Sequence, residues 1–261
     1  MKKLFLCCAA FLPFLAVAAE PQPLMTMPGK VLLSEDFAAA SLPAKWEPGG
    51  RPQSFTIVDG ALQGVCAPDD AHGPSVGVPI EGRNLTIQFA MKYVQPGNFL
   101  FLLDGESQFG GAAHLLRVGL SANLVVVQQD RGSLESKAAQ AAEKDKATKA
   151  GLKPATPTEA QLADSQFYRT ERLAGQPRKI ADGQWHNVLV EVIGNEVVAQ
   201  VDDAPPLLAT GTVIDTKKSR IVFLVGGAGT ALIDRVKVWE NSPRADWKET
   251  KAKLPVAPVG K

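Results

Sequence analysis

Short runs of β-branched and aliphatic residues, cut at intervals by Gly, Pro, Asn and Asp, recur from Lys30 to Trp239, and helical spacing of apolar residues is mostly absent. That is the pattern of strands joined by turns. The clearest run is 85–93, where Leu85, Ile87, Phe89, Met91 and Tyr93 share one parity and Thr86, Gln88, Ala90 and Lys92 the other. Successive strand side chains point to opposite faces, so one face of this strand belongs to a core and the other meets water. The same reading predicts strands at 30–33, 55–58, 61–65, 75–78 and 84–93, then at 99–103, 114–120 and 124–128. It continues with 185–193, 196–201, 206–209, 220–225 and 231–239, thirteen strands in all. Asp59-Gly60, Ser121-Ala122-Asn123 and Gly194-Asn195 are links of turn length, so the strands that flank them should pair antiparallel. The economical architecture is all-β, two antiparallel sheets packed face to face.

One stretch breaks the pattern. Residues 131–180 are rich in Ala, Lys, Glu and Gln, with charge spread evenly through 133–149. Ser133 as N-cap and Gly151 as stop predict an exposed helix, followed by a link through Pro154 and Pro157 and a second helix at 158–164. Without an apolar stripe the first helix has no face to bury. The insertion is either a solvated excursion or a lid or partner-binding arm beside a sheet. In the second case Arg169, Arg172, Arg178 and Lys179, close to Tyr168, are its contact residues.

At the N-terminus Lys2 and Lys3 precede an apolar run from Leu4 to Ala19 that ends in small residues. This reads as a secretory signal peptide, residues 1–19. It is shorter than the roughly 20 apolar residues of a membrane-spanning helix. Cys7 and Cys8 raise lipidation as an alternative, but they lie too early for an apolar region to precede them. The mature chain is therefore expected to be secreted or periplasmic, with no transmembrane segment, a β domain at 20–241 and a Pro- and Lys-rich tail at 242–261. Cys66 is then its one cysteine, so no intramolecular disulfide can form. With 28 basic and 27 acidic residues the chain has no general attraction for nucleic acid or anionic lipid.

Candidate chemistry is sparse. Three scattered histidines give no zinc spacing, and no nucleophile elbow or phosphate loop occurs, so neither metal nor cofactor is expected. Asp202-Asp203 reads as a hairpin turn before a calcium pair, and Gly226-Gly227-Ala228-Gly229 as a turn between strands. Glycosidic hydrolysis needs two carboxyl groups, which jelly-roll glycanases place on alternate residues of one strand. Asp104-Gly105-Glu106 is the nearest imitation, lacks a further acidic residue, and reads as a polar turn. His186 shares parity with Val188, Val190 and Val192 and is expected to be hydrogen-bonded at a strand end. Trp185 shares parity with Asn187, Leu189 and Glu191 and either closes the sandwich edge or joins a polar surface.

Two stretches carry a family resemblance. The segment 55–64, Phe-Thr-Ile-Val-Asp-Gly-Ala-Leu-Gln-Gly, preceded by Ser34-Glu35-Asp36-Phe37 and Trp46, resembles the opening strands of bacterial concanavalin A-like and laminin G-like domains. The segment 182–202, Asp-Gly-Gln-Trp-His-Asn-Val-Leu-Val-Glu onward, with 233–239 at the end, resembles their later hairpin and final strand. The resemblance implies a jelly-roll sandwich and a carbohydrate or cell-envelope glycan as partner. The chain is also distantly similar to the secreted 3-keto-disaccharide hydrolase domain. Where that domain carries an Asn-Ser-Gly-hydrophobic run this chain has Gln95-Pro96-Gly97-Asn98, so only fold and glycan context carry over. Two functions remain: a non-catalytic glycan-binding or envelope-interaction module, or a glycoside-processing hydrolase. Strand parity places Gln88, Lys92, Asn187, Glu191 and Gln200 together on one polar sheet surface, the expected carbohydrate-binding site.

Overall fold

Alternation along the strands becomes two layers in a computed structural model, which describes residues 20–51 and 53–255. The signal peptide expected at 1–19 and the end of the tail lie outside the described residues. The strands are β1 (Thr26–Glu35), β2 (Glu47–Gly49), β3 (Phe55–Val58), β4 (Ala61–Val65), β5 (Ser75–Gly82), β6 (Leu85–Gln95), β7 (Asn98–Glu106) and β8 (Ala112–Ser121). They continue as β9 (Leu124–Arg131), β10 (Arg169–Pro177), β11 (His186–Ile193), β12 (Glu196–Val201), β13 (Leu207–Thr210), β14 (Lys218–Gly226) and β15 (Thr230–Pro243). The helices are α1 (Leu134–Lys149), α2 (Glu159–Ala163) and α3 (Trp247–Lys251). None of them is long and apolar enough to cross a membrane.

One sheet runs β13-β12-β11-β6-β15-β4-β3, with β1 also on β15; the other runs β10-β9-β8-β7-β14-β5-β2. All their pairings are antiparallel. The β3–β4 hairpin turns on Asp59 (φ 51) and Gly60 (φ 73), the doubly left-handed geometry for which Asp-Gly is suited. Between the sheets Phe223 of β14 meets Phe89 of β6 edge-on at 5.1 Å, with Phe99 and Phe101 each at 5.8 Å and Trp46 at 6.0 Å. Tyr93 is buried among them and donates its hydroxyl to the Leu120 carbonyl at 2.7 Å, which ties one sheet to the other.

Several expectations move. Arg169–Pro177, placed in the insertion by its mixed composition, is the edge strand β10; the helical excursion is confined to 132–168. A bulge between Arg172 and Ala174 turns Leu173 toward the core beside Ala174, which hides the alternation that would have marked a strand. The tail does not begin at 242, because β15 runs to Pro243 and α3 packs Trp247 against Met25 and Val198 on the outer face of the first sheet. Trp247 also donates its indole N–H to Glu196 at 2.9 Å. The insertion's helices are capped as read: Ser133 accepts from the Ser136 amide, and Thr158 with Gln161 forms a capping box.

Beneath α3 and along β11 the N-terminal segment is clamped by Glu191. Its carboxylate, wholly buried, accepts from the amides of Leu24 (3.1 Å), Met25 (2.9 Å) and Thr26 (2.8 Å) and from the Thr26 hydroxyl (2.8 Å). At the far end of the second sheet the ammonium of Lys218, also wholly buried, donates to the carbonyls of Arg83 (2.5 Å) and Ile214 (2.7 Å). Burial pushes its pKa down to about 8 despite the neighbouring Asp215.

Three outcomes are expected. Replacing 134–167 by a short turn should leave a single cooperative unfolding transition with stability changed by about 1 kcal/mol or less, since α1 and α2 bury no residue. Glu191→Gln should cost about 2–3 kcal/mol in urea unfolding, because an amide offers one acceptor oxygen where the carboxylate serves four donors. The lowered pKa of Lys218 means that the unfolded chain binds more protons between about 8 and 10.5. Stability contributed by this group therefore rises with pH in that window, by up to ~3 kcal/mol, and Lys218→Met should flatten the rise measured by urea unfolding from pH 8 to 10.

Candidate functional site

The five residues chosen by parity do share the outer face of the first sheet: Gln88 and Lys92 on β6, Asn187 and Glu191 on β11, Gln200 on β12. The open polar surface expected there is not formed, because the chain's own N-terminus covers half of it. Glu191 is sealed beneath 24–26, and Gln200, buried, donates to the Gln22 carbonyl at 3.0 Å. Lys92 lies over the Trp185 ring, 5.0 Å from its centroid. Gln88 and Asn187 line a recess of about 260 Å³ with Arg235, whose guanidinium donates to Asn187 at 3.1 Å. His186 is buried and hydrogen-bonded, as parity predicts: Nδ1 faces Asp202 at 2.7 Å and Nε2 faces the Ala181 carbonyl at 3.2 Å. Burial disfavours the imidazolium, but two acceptors for two ring nitrogens outweigh it and hold the pKa above the ordinary value.

Among the described residues the second sheet leaves its outer face open. Direct cross-strand partners line up there in ranks across the sheet, the two complete ones about 29 Å long at the usual strand spacing. The central rank is Glu47, Gly77, Val222, Leu102, Arg117, Gln128 and Arg172. On one side lie Gly49, Ser75, Leu224, Leu100, Gly119, Val126 and Gly175, a rank of small and aliphatic residues. On the other lie Pro79, Arg220, Asp104 and His114, and beyond a bulge Asp130 and Thr170. A groove of about 350 Å³ opens over this face, floored by Leu102, Val222 and Leu224 and walled by Glu47, Arg220, Asp104, His114 and His72.

Charge on the ranks is organised in pairs. Glu47 meets Arg220 at 3.1 Å, and Asp104 meets His114 Nδ1 at 2.6 Å. Asp130, its side chain 1% exposed, holds Arg117 through both oxygens and accepts from Tyr168 (2.6 Å) and Thr170 (2.7 Å). Burial alone would raise the Asp130 pKa; the Arg117 guanidinium and the two hydroxyls overcome it and keep the carboxylate ionised, below its usual range. Burial and that same carboxylate push Tyr168 up to about 12. Tyr168 ends the insertion, and Lys137 of α1 lies over its ring at 4.8 Å. Gln140 donates to the Tyr168 carbonyl at 2.9 Å, so α1 is rooted at one end of the face. Among the described residues no three His, Cys, Asp or Glu side chains gather as metal ligands.

Sequence reasoning saw parts of this face without assembling it. Asp104-Gly105-Glu106 is not a turn: it continues β7, and Gly105 stands there because a Cβ would meet the Lys217 carbonyl at 2.4 Å. Tyr168 was singled out as a neighbour of the insertion's expected contact residues Arg169, Arg172, Arg178 and Lys179, without its bond to Asp130 being foreseen. Arg117 and Asp130 carried no signal, since two lone charges in apolar strands become a pair only once β8 and β9 are in register.

No family model matches the chain, and no curated protein matches it. Among solved structures it is similar to LamA from Zobellia galactanivorans in complex with laminaritriose and laminaritetraose, at TM-score 0.53 and 12% identity over 82% of this chain and 100% of that one. A Bacillus subtilis protein with a galectin-like fold gives 0.52 and 12% over 84% and 100%. A sialidase gives 0.53 and 12% over 82% of this chain, which spans only 19% of the sialidase. At such identity the likeness is one of fold, and the chain is an antiparallel concanavalin A-like jelly-roll sandwich with a small helical insertion.

Proposed function

We propose that the chain is an exported, non-catalytic glycan-binding module whose ligand lies along the outer face of the seven-stranded sheet. The observation that carries the reading is the three-rank surface itself. It offers a trough of glycine, serine and aliphatic side chains beside fixed hydrogen-bonding groups, the combination that sugar rings with apolar faces and polar rims require. Its carboxylates favour binding over hydrolysis. A glycosidase needs one carboxyl group kept protonated as an acid. Here Glu47, Asp104 and Asp130 each face a cationic or imidazole partner, and Asp130 is held ionised. The names of the structural neighbours support a glycan context: one is bound to laminari-oligosaccharides and another has a galectin-like fold.

One observation favours a hydrolase as the second reading. Asp104 and Glu106 are alternate residues of β7, which puts their Cα atoms about 7 Å apart on one face, and His114 stands beside the first. A glycan-array screen and a reducing-end assay on the mature protein and on Asp104→Asn separate the two. The module reading expects array binding by the wild type, no turnover by either, and binding by the variant weakened about five- to tenfold through loss of a charged hydrogen bond. Turnover by the wild type that Asp104→Asn abolishes would establish the hydrolase instead.

A further inference from the structure

Of the four cationic or imidazole side chains in the three ranks, three are spoken for: Arg220 by Glu47, His114 by Asp104, Arg117 by Asp130. Arg172 is not, having neither hydrogen bond nor ion pair among the described residues. Its Nε is buried without a partner. Its guanidinium lies over Gly175, where a Cβ would come within 2.3 Å of a terminal nitrogen. Beside it in the central rank stands Gln128, half-buried, which supplies an amide donor. Lys137, stacked on the Tyr168 ring, also lacks an ion pair among the described residues. A guanidinium with no counter-charge can take an anion, and its planar fork can meet a carboxylate or sulfate through two hydrogen bonds at once.

We propose, resting on the glycan-binding reading, that the ligand is an acidic glycan whose carboxylate or sulfate group is held by Arg172 with Gln128 and Lys137 at the insertion end of the face, beyond the groove. The neutral part of the chain then runs along the small and aliphatic rank toward Leu224 and Ser75. The insertion has a role in this arrangement, since it ends in Tyr168 and brings Lys137 to the face.

The test is titration calorimetry of the mature protein with polygalacturonate, dextran sulfate and uncharged dextran, at low and physiological salt. The variants are Arg172→Gln, Arg172→Lys and, as a control on the exposed far end of α1, Lys149→Gln; thermal melts establish that each is folded. At least one charged polymer should bind ten or more times tighter than dextran. Arg172→Gln should lose about tenfold for that polymer, the loss expected for one charge-assisted contact, with Arg172→Lys intermediate and Lys149→Gln unchanged. A preference for polygalacturonate identifies a carboxylate, and one for dextran sulfate a sulfate ester. Equal binding of charged and neutral polymers, a folded Arg172→Gln with full affinity, or an equal loss in Lys149→Gln would overturn the proposal. If neutral glycans alone bind, in calorimetry or on the array, the glycan-binding reading stands and the acidic ligand falls. If no glycan binds in either experiment, both fall.

Discussion

The edge-on contact of Phe89 with Phe223 joins inner strands of the two sheets, and the parity of both layers follows from it. With Phe89 inward, Leu85, Ile87, Met91 and Tyr93 must also face the core, and Gln88 and Lys92 must face out. With Phe223 inward, Val222 and Leu224 face out, and through the register of β14 with β7 and of β7 with β8 so do Leu102 and Arg117. A slip by one residue on either strand would bury the arginines and expose the rings. The sandwich therefore has two outer faces whose composition is settled by one interior packing arrangement.

The chain treats those faces differently. On the eight-stranded sheet Glu191 gathers the amides of 24–26, and α3 lays Trp247 over Met25 and Val198, so the two termini build a second small core outside the sheet. On the seven-stranded sheet no segment among the described residues crosses the middle ranks. Asp130 instead organises one end by gathering Arg117, Thr170 and Tyr168, and the insertion is anchored there through Tyr168. Both carboxylates are buried and multiply hydrogen-bonded. One closes a surface and the other orders the insertion end of the opposite face.

How much of this could be read in the sequence depended on the range of the interaction. Alternation in 85–93 and the Asp-Gly turn at 59–60 act within a few residues, and they specified strand, face and hairpin correctly. Ser133 and Gly151 marked the ends of α1 for the same reason. The bulge at Arg172 hid β10 because it breaks the period on which strand recognition rests. Glu191 was assigned to the right face but taken as exposed, since its donors lie 165–167 positions away and nothing local announces them. The ranks of the second sheet were invisible for a related reason, each being assembled from six or seven strands whose registers are set by packing.

The central claim is that ligand chemistry belongs to the outer face of the seven-stranded sheet. Backbone chemical-shift mapping by NMR during titration with the tightest-binding oligosaccharide tests it most directly. The account predicts perturbations centred on Leu100, Leu102, Arg117, Gln128 and Val222, with the amides around Gln88 and Asn187 unmoved. Perturbations centred on Gln88, Asn187 and Arg235, with the first set unmoved, would contradict it.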